Sequence, residues 1–245
     1  MQKKSAFGLA ETMIGGNLDS VARPDVIPDY LEQRYWWAYL HPRGLRFFEQ
    51  QWVINAILWG NYAHLRDAAL NELGPSIDGR TLQVACVYGN LTPELAARHQ
   101  SGAQLDVVDV APIQLENLHG KLTAGRTVLH CQDAANLRFD DASFDQVLIF
   151  FLLHELPMSV RKRAISEALR VLRPGGKLIF VDYHRPVPHH PLRYLMPLVF
   201  KTLEPFALDL WREEIADWVS TGTQPKSIKK QVYFGGLYQK VVMLK

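Results

Sequence analysis

At 245 residues, 48% hydrophobic and 21% charged, the chain is long enough to bury one large core as a single domain. A formal net charge of +2 gives no electrostatic footprint for nucleic acid, and the one short basic cluster, Lys226–Lys230, reads as solvated surface. Cys86 and Cys131 fall in expected buried strands without a CxxC partner, which points to a reducing compartment.

Residues 1–30 are rich in Gly, Ser, Asp and Pro, and a mobile N-terminus is expected there. Met1–Asp29 carries acids and no apolar core, so no signal peptide is read into it. Residues 31–75 read as helical: Leu45, Phe48, Trp52, Ile54, Leu58, Trp59, Leu65 and Leu70 recur near a 3.6 period, with a break at Gly60-Asn61. This layer is either a cap on a sheet or a lid over a greasy substrate, the second reading resting on the aromatic density of Tyr35-Trp36-Trp37-Ala38-Tyr39.

From residue 76 onward the pattern is α/β. The run Leu82-Gln83-Val84-Ala85-Cys86-Val87-Tyr88-Gly89 ends a first strand at a glycine, and Leu91–His99 starts a helix. That is the strand, tight loop and helix at which nucleotide-like cofactors meet a parallel sheet. A second strand, Leu105–Val110, carries Asp109 about 20 residues past that loop, the spacing of a ribose-binding acid. Asp109 is also placed to cap the helix Pro112–Leu122, and the two roles can coexist. Thr127–Cys131 forms a third strand, after which Asp133 and Ala134 are positioned for an adenine ring. The fourth strand, Val147–Leu153, is apolar throughout, as befits a strand covered on both faces, with Phe150 toward its end and His154-Glu155 just beyond. A helix, Val160–Leu172, and a turn, Arg173–Gly176, lead into a fifth strand, Lys177–Val181, followed by Asp182-Tyr183-His184. Leu192–Leu203 has apolar residues at i, i+3, i+4, i+7, i+8 and i+11, an amphipathic helix despite Pro197. A further helical piece is expected over Phe206–Val219. Val232–Tyr238 then turns back as a hairpin into Val241–Leu244.

The loop at Gln83–Gly89 resembles the first motif of class I S-adenosylmethionine (SAM) enzymes, with Gln83 where their acid stands and Val87 and Tyr88 filling most of the glycine loop. The resemblance implies a doubly wound seven-stranded sheet with an antiparallel last strand, a helical lid over 31–75, and lid helices at about 191–219 within a SAM-binding unit of 76–245. Leu82–Asn90, Val108-Asp109-Val110, Asp133-Ala134, Phe144–Val147 and Leu169–Leu178 resemble the ubiquinone/menaquinone C-methyltransferases. Val84–Asn90, Val108–Leu115, Phe150–Glu155, Val181–Pro186, His190–Met196 and Tyr233–Lys240 are similar to the rhodoquinone biosynthesis protein family, a likeness running from about Tyr35 to the C-terminus. That second likeness implies a different reaction, the exchange of a ring methoxy of ubiquinone for an amino group, with SAM as nitrogen donor and manganese as helper.

The expected SAM residues are Gln83, Val84, Ala85, Cys86, Val87, Tyr88, Gly89, Asp109, Val110, Asp133, Ala134 and Phe150. A neutral Gln83 in place of an acid is expected to leave more of the SAM amine as free base, and Val87 and Tyr88 to shift its methionine tail. Ligands collect beyond the carboxyl ends of such strands, so His154, Glu155, Asp182 and His184 are the metal candidates, imidazole and carboxylate suiting a divalent ion such as Mn²⁺. His154 has the alternative of hydrogen-bonding the substrate. Tyr88, His154, Asp182 and His184 are the catalytic candidates. No run reaches the roughly 20 apolar residues of a spanning helix. A ubiquinone substrate therefore implies a protein peripheral on the cytoplasmic face of a membrane, docked through the helix Leu192–Leu203 with Trp36, Trp37 and Tyr39.

Overall fold

The apolar runs of the sequence lie side by side in one sheet, as the computed structural model of the chain shows. It describes residues 27–123, 127–220, 222 and 224–245. The mobile segment expected for residues 1–30 falls outside the described residues up to residue 26. The strands are β1 (Arg80–Val84), β2 (Gln104–Asp109), β3 (Thr127–Cys131), β4 (Phe144–Phe150), β5 (Leu172–Tyr183), β6 (Ser227–Tyr233) and β7 (Tyr238–Leu244). They form a seven-stranded sheet in the order β3-β2-β1-β4-β5-β7-β6. The first five pair in parallel, whereas β7 runs antiparallel to β5 and to β6. Strand β6 therefore runs with the first five and β7, the last strand, alone is reversed, as expected.

Central strands are apolar on both sides because helices cover both faces. Leu82, Val107, Val147, Leu148, Ile179 and Phe180 are all buried. The covering helices α4 (Leu91–Ala97), α5 (Pro112–His119), α6 (Met158–Val171) and α7 (Leu192–Leu203) are preceded by three N-terminal ones, α1 (Pro42–Phe48), α2 (Gln51–Ile57) and α3 (Tyr62–Leu73). A wider-wound helix of the π type, Leu31–Leu40, comes before α1. The expected break appears between α2 and α3, where Trp59 (φ 51°) and Gly60 (φ 77°) both enter the left-handed region. Helix α3 buries Tyr62, Leu65, Ala69, Leu70 and Leu73 against the main core.

Strand β5 runs through the expected turn Arg173–Gly176 and β6 begins at Ser227, ahead of the expected hairpin; two further differences bear on the site. Strand β4 stops at Phe150 rather than Leu153, because Phe151 adopts φ 51° and turns the chain out of the sheet. His154 and Glu155 consequently sit on a short 3-10 turn, Leu153–Glu155, set back from the strand end. The stretch expected as one helix over Phe206–Val219 is instead two 3-10 turns, Ala207–Trp211 and Ile215–Trp218. Between them Glu214 and Asp217 form a capping box that restarts the chain.

Candidate active site

Strand order reverses between β1 and β4, and the chains leaving these two strands diverge. A crevice opens at such a switch point. Here it is a cleft walled by Ala85 and Cys86 after β1, Asp109 and Val110 at the end of β2, Asp133 and Ala134 after β3, and Phe151 beyond β4. Asp109 is fixed by two backbone donors: the Cys86 N–H to Oδ2 at 2.7 Å and the Ala111 N–H to Oδ1 at 2.8 Å. Each oxygen keeps a lone pair for a ligand. Burial pushes its carboxyl up to about 6 against the pull of those backbone donors. The residue thus faces the cleft and bonds the N–H of Ala111, the residue that precedes α5. Asp133 is held by the Ala135 N–H at 2.8 Å.

Six of the residues expected to hold SAM (Ala85, Cys86, Asp109, Val110, Asp133 and Ala134) line this cleft, and Val87, Tyr88 and Phe150 line a second one beside it. Gln83, Val84 and Gly89 line neither. Gln83 is wholly buried, its Nε2 donating to the Ala85 carbonyl and to Thr92 Oγ1, both at 2.9 Å, while its Oε1 has no partner. It braces the loop from behind instead of meeting the methionine amine. Ala85 holds φ 72°, a conformation that disfavours any Cβ. The loop therefore keeps a glycine-like path without a glycine at that point. Gly89 (φ 82°) is indispensable, since a Cβ there would lie 2.7 Å from the Tyr62 hydroxyl.

The second cleft shares Tyr39, Cys86, Phe151 and Glu155 with the first and is otherwise walled largely by rings and aliphatic side chains. Tyr39 and Phe48 stack on Tyr88 at centroid distances of 5.7 and 5.9 Å. Tyr88 is pinned at its far end, its hydroxyl donating to the Ala38 carbonyl at 2.7 Å and accepting from Gln114 Nε2 at 2.9 Å. Burial pushes this phenol well above its ordinary range, so it acts as a neutral hydrogen-bonding group.

His154 lies in the wall of this cleft. Its Nδ1 is 2.9 Å from Asp182 Oδ1, and its Nε2 stands 3.7 Å from Glu155 Oε1 and 3.9 Å from Glu204 Oε2. Burial works against a charged imidazole, but the surrounding carboxylates outweigh it and push His154 up to about 9. Burial also pushes Glu155 and Glu204 up, with His154 opposing the shift in each. Tyr39 donates its hydroxyl to Glu155 Oε1. The result is a buried imidazolium among three carboxyl groups, able to give or take a proton at the cleft. Glu204 was not foreseen, although Leu192, Met196, Phe200 and Glu204 are spaced by four and the first three are buried. That spacing was the available signal that the acid continues an inward stripe.

Of the four metal candidates, His154, Glu155 and Asp182 lie together and His184 stands apart. Asp182 is buried behind His154, its oxygens accepting from the backbone N–H of Leu153 (2.9 Å) and Tyr183 (2.8 Å). His184 follows the end of β5, where its Nδ1 lies 2.8 Å from the Gly236 carbonyl and its Nε2 faces Lys230 and Glu214. Neither lines the two clefts. Among the described residues no group of three or more His, Cys, Asp or Glu side chains is arranged to hold a metal. The arrangement of these side chains does not support the expected manganese.

Residues 81–176 match the methyltransferase domain family. Over most of the chain (90%), the structure superposes on the phosphoethanolamine N-methyltransferase 2 of Haemonchus contortus in complex with phosphomonomethylethanolamine and S-adenosylhomocysteine, with a TM-score of 0.62, 17% identity and 61% of that chain covered. The protein has the class I methyltransferase fold. Among curated proteins, this methyltransferase-fold chain is similar to the demethylmenaquinone methyltransferase of Tropheryma whipplei, 29% identical over 164 residues covering 64% of this chain and 66% of that protein. It is also similar to the ubiquinone/menaquinone biosynthesis C-methyltransferase of Geotalea daltonii, 28% identical over 125 residues covering 49% and 52%. The chain thus spans somewhat under two thirds of the length of these relatives.

Proposed function

We propose that the protein is a SAM-dependent transferase acting on the ring of a quinone or quinone precursor, and that the group transferred is methyl. The observation that carries this reading is the junction of the two clefts at Cys86, Tyr39, Phe151 and Glu155. A nucleoside held by Asp109 and Asp133 would present its sulfonium at that junction, facing an aromatic-walled chamber suited to a flat ring. The relatives' names supply the substrate class. In methyl transfer a ring carbon of the reduced, hydroxylated ring attacks the sulfonium methyl. The methyl–sulfur bond breaks with its pair staying on sulfur, and the ring carbon then gives up its proton. Glu155 and Glu204, which face His154 in the wall of the second cleft, are the groups placed to accept it. A substrate with an isoprenoid tail lives in a bilayer, so the protein would work as a peripheral protein on the cytoplasmic membrane face; among the described residues no helix is long and apolar enough to cross a membrane.

A second reading, amination of ubiquinone to rhodoquinone with SAM as nitrogen donor, is favoured by one observation. Val87 and Tyr88 stand where glycines would let the methionine tail pass close to the backbone, and both project into the second cleft. Gln83 gives it no support, since it lies behind the loop. Mass spectrometry of a quinone and its demethylated precursor, incubated with protein and SAM, separates the two. Methyl gain by the precursor supports the first, methoxy-for-amino exchange the second, and no change in either substrate excludes both.

A further inference from the structure

Helices α1 and α2 bury Leu45, Val53 and Ile54 inward, yet carry large apolar side chains on their outer side as well. With the neighbouring turns they leave Trp52 65%, Phe47 51%, Trp36 51%, Ile57 44%, Trp59 42% and Trp37 38% exposed. A contiguous exposed apolar patch of this kind marks an interaction surface. Rings join these side chains: Trp37 meets Phe48 at 5.5 Å, Phe48 meets Phe47 at 5.2 Å, and Phe47 meets Trp52 at 6.1 Å.

We propose that this surface docks on an anionic phospholipid bilayer and passes a bilayer-resident substrate into the second cleft. Three observations select that occupant. Tryptophan is the side chain most at home at headgroup depth, and four of the six are Trp. The charges between Arg34 and Gly60 complement an anionic surface: Arg34, Arg43 and Arg46 are exposed, while the one carboxylate of the stretch, Glu49, turns inward to Lys121 at 2.7 Å, to Asn117 and to the Gly89 N–H. Two copies facing each other would bring those arginines together, which disfavours self-association. Finally, Trp37 and Ile57 belong both to the patch and to the wall of the second cleft. Phe48 carries the path on to Tyr88 at 5.9 Å, so an apolar tail need not leave apolar surroundings. The surface differs from the one expected of the sequence. Tyr39 points inward to Glu155, and the docking face lies on α1 and α2 rather than α7, whose own outer side shows Tyr194, Leu195 and Leu198.

The inference deepens the quinone reading and rests on it only for the identity of the cargo. Its test reads binding alone, without SAM or substrate. The full chain is co-sedimented with vesicles of phosphatidylcholine containing phosphatidylglycerol, and with phosphatidylcholine alone. Wild type should pellet with the anionic vesicles, release as salt rises, and show a blue shift of tryptophan emission. Phe47→Glu with Trp52→Glu should weaken this by about tenfold or more, as should Arg43→Glu with Arg46→Glu. Leu195→Glu with Leu198→Glu should leave it intact, and circular dichroism checks each fold. No pelleting by wild type, or equal pelleting by folded patch variants, overturns the proposal. So does loss of binding only in the α7 variant, or a wild-type dimer in light scattering that the patch substitutions dissolve. The arginine pair and the salt response decide the matter if the aromatic variant fails to fold.

Discussion

Asp109 is held in the cleft at a cost that a bound ribose would relieve. With its carboxyl pushed up to about 6 by burial, the folded protein binds a proton there more tightly than the unfolded chain, whose value is about 4. Stability from this group is therefore greatest at low pH and declines as pH rises from about 4 through about 6. Ribose hydroxyls favour the ionised form, so the rise in melting temperature on adding SAM should be larger at neutral pH than at pH ~5. That difference should vanish in Asp109→Asn. Calorimetry of Asp109→Ala should show SAM binding weakened by about 1.5–3 kcal/mol, the range of hydrogen bonds to a charged group. Ala85 offers the opposite experiment. Its φ of 72° stores about 1–2 kcal/mol of left-handed strain, and Ala85→Gly should recover a good part of it as a raised denaturation midpoint. Gln83→Glu would set a carboxylate against the Ala85 carbonyl and leave it buried, a loss of about 1–3 kcal/mol visible as a lower melting temperature. A shifted pH optimum without that loss would return Gln83 to the cofactor.

At the scale of elements, the turn bearing His154 is positioned by one helix. Arg161 of α6 is fully buried; its Nε donates to the Leu153 carbonyl at 2.8 Å, and its terminal nitrogens reach the carbonyls of Leu156 (3.0 Å) and Phe206 (2.8 Å) and Asp209 Oδ2 at 3.4 Å. It fastens the turn bearing His154 to the segment after Glu204. Arg161→Leu should cost about 3–5 kcal/mol by stranding those partners, measured by denaturation, and Arg161→Lys should fail to rescue it because an ammonium lacks the fork. None of this shows in the sequence, where Val160-Arg161-Lys162-Arg163 reads as an ordinary charged helix face. The partners are backbone carbonyls as far as 45 residues away. What the sequence did disclose was governed by local periodicity. The parallel strands stand out as apolar runs, and α7 occupies the expected Leu192–Leu203 because its 3.6 period is unbroken. Asp109 and Asp133, which line the first cleft, are legible for a related reason, since one ends β2 and the other follows β3. His184 misled because strand-end position says nothing of what comes next: the β7 side captures it through the Leu237 carbonyl, which accepts its N–H at 2.7 Å, and through Gly236. Glu155 and Glu204 come together only through tertiary packing, forty-nine positions apart.

Over the whole molecule, two layers made from distant parts of the chain close on one junction. The N-terminal helices supply Tyr39 and Phe48, the sheet supplies Cys86 and Phe151, and the segment after α7 supplies Glu204. The bond from Tyr88 to the Ala38 carbonyl, together with that from the Gly89 N–H to Glu49, fastens the loop after β1 to the covering layer. Tyr88→Phe removes about 1 kcal/mol of that fastening. Hydrogen exchange over residues 31–48 should slow when SAM binds to the wild type and respond less in the variant. A latch of this kind has a thermodynamic corollary. Whatever factor the nucleoside contributes to closing the outer layer, closure contributes the same factor to retaining the nucleoside. A docked bilayer and a seated ring would then tighten the grip on SAM from a distance, and spent cofactor would be released most readily once the product has slipped back among the lipids.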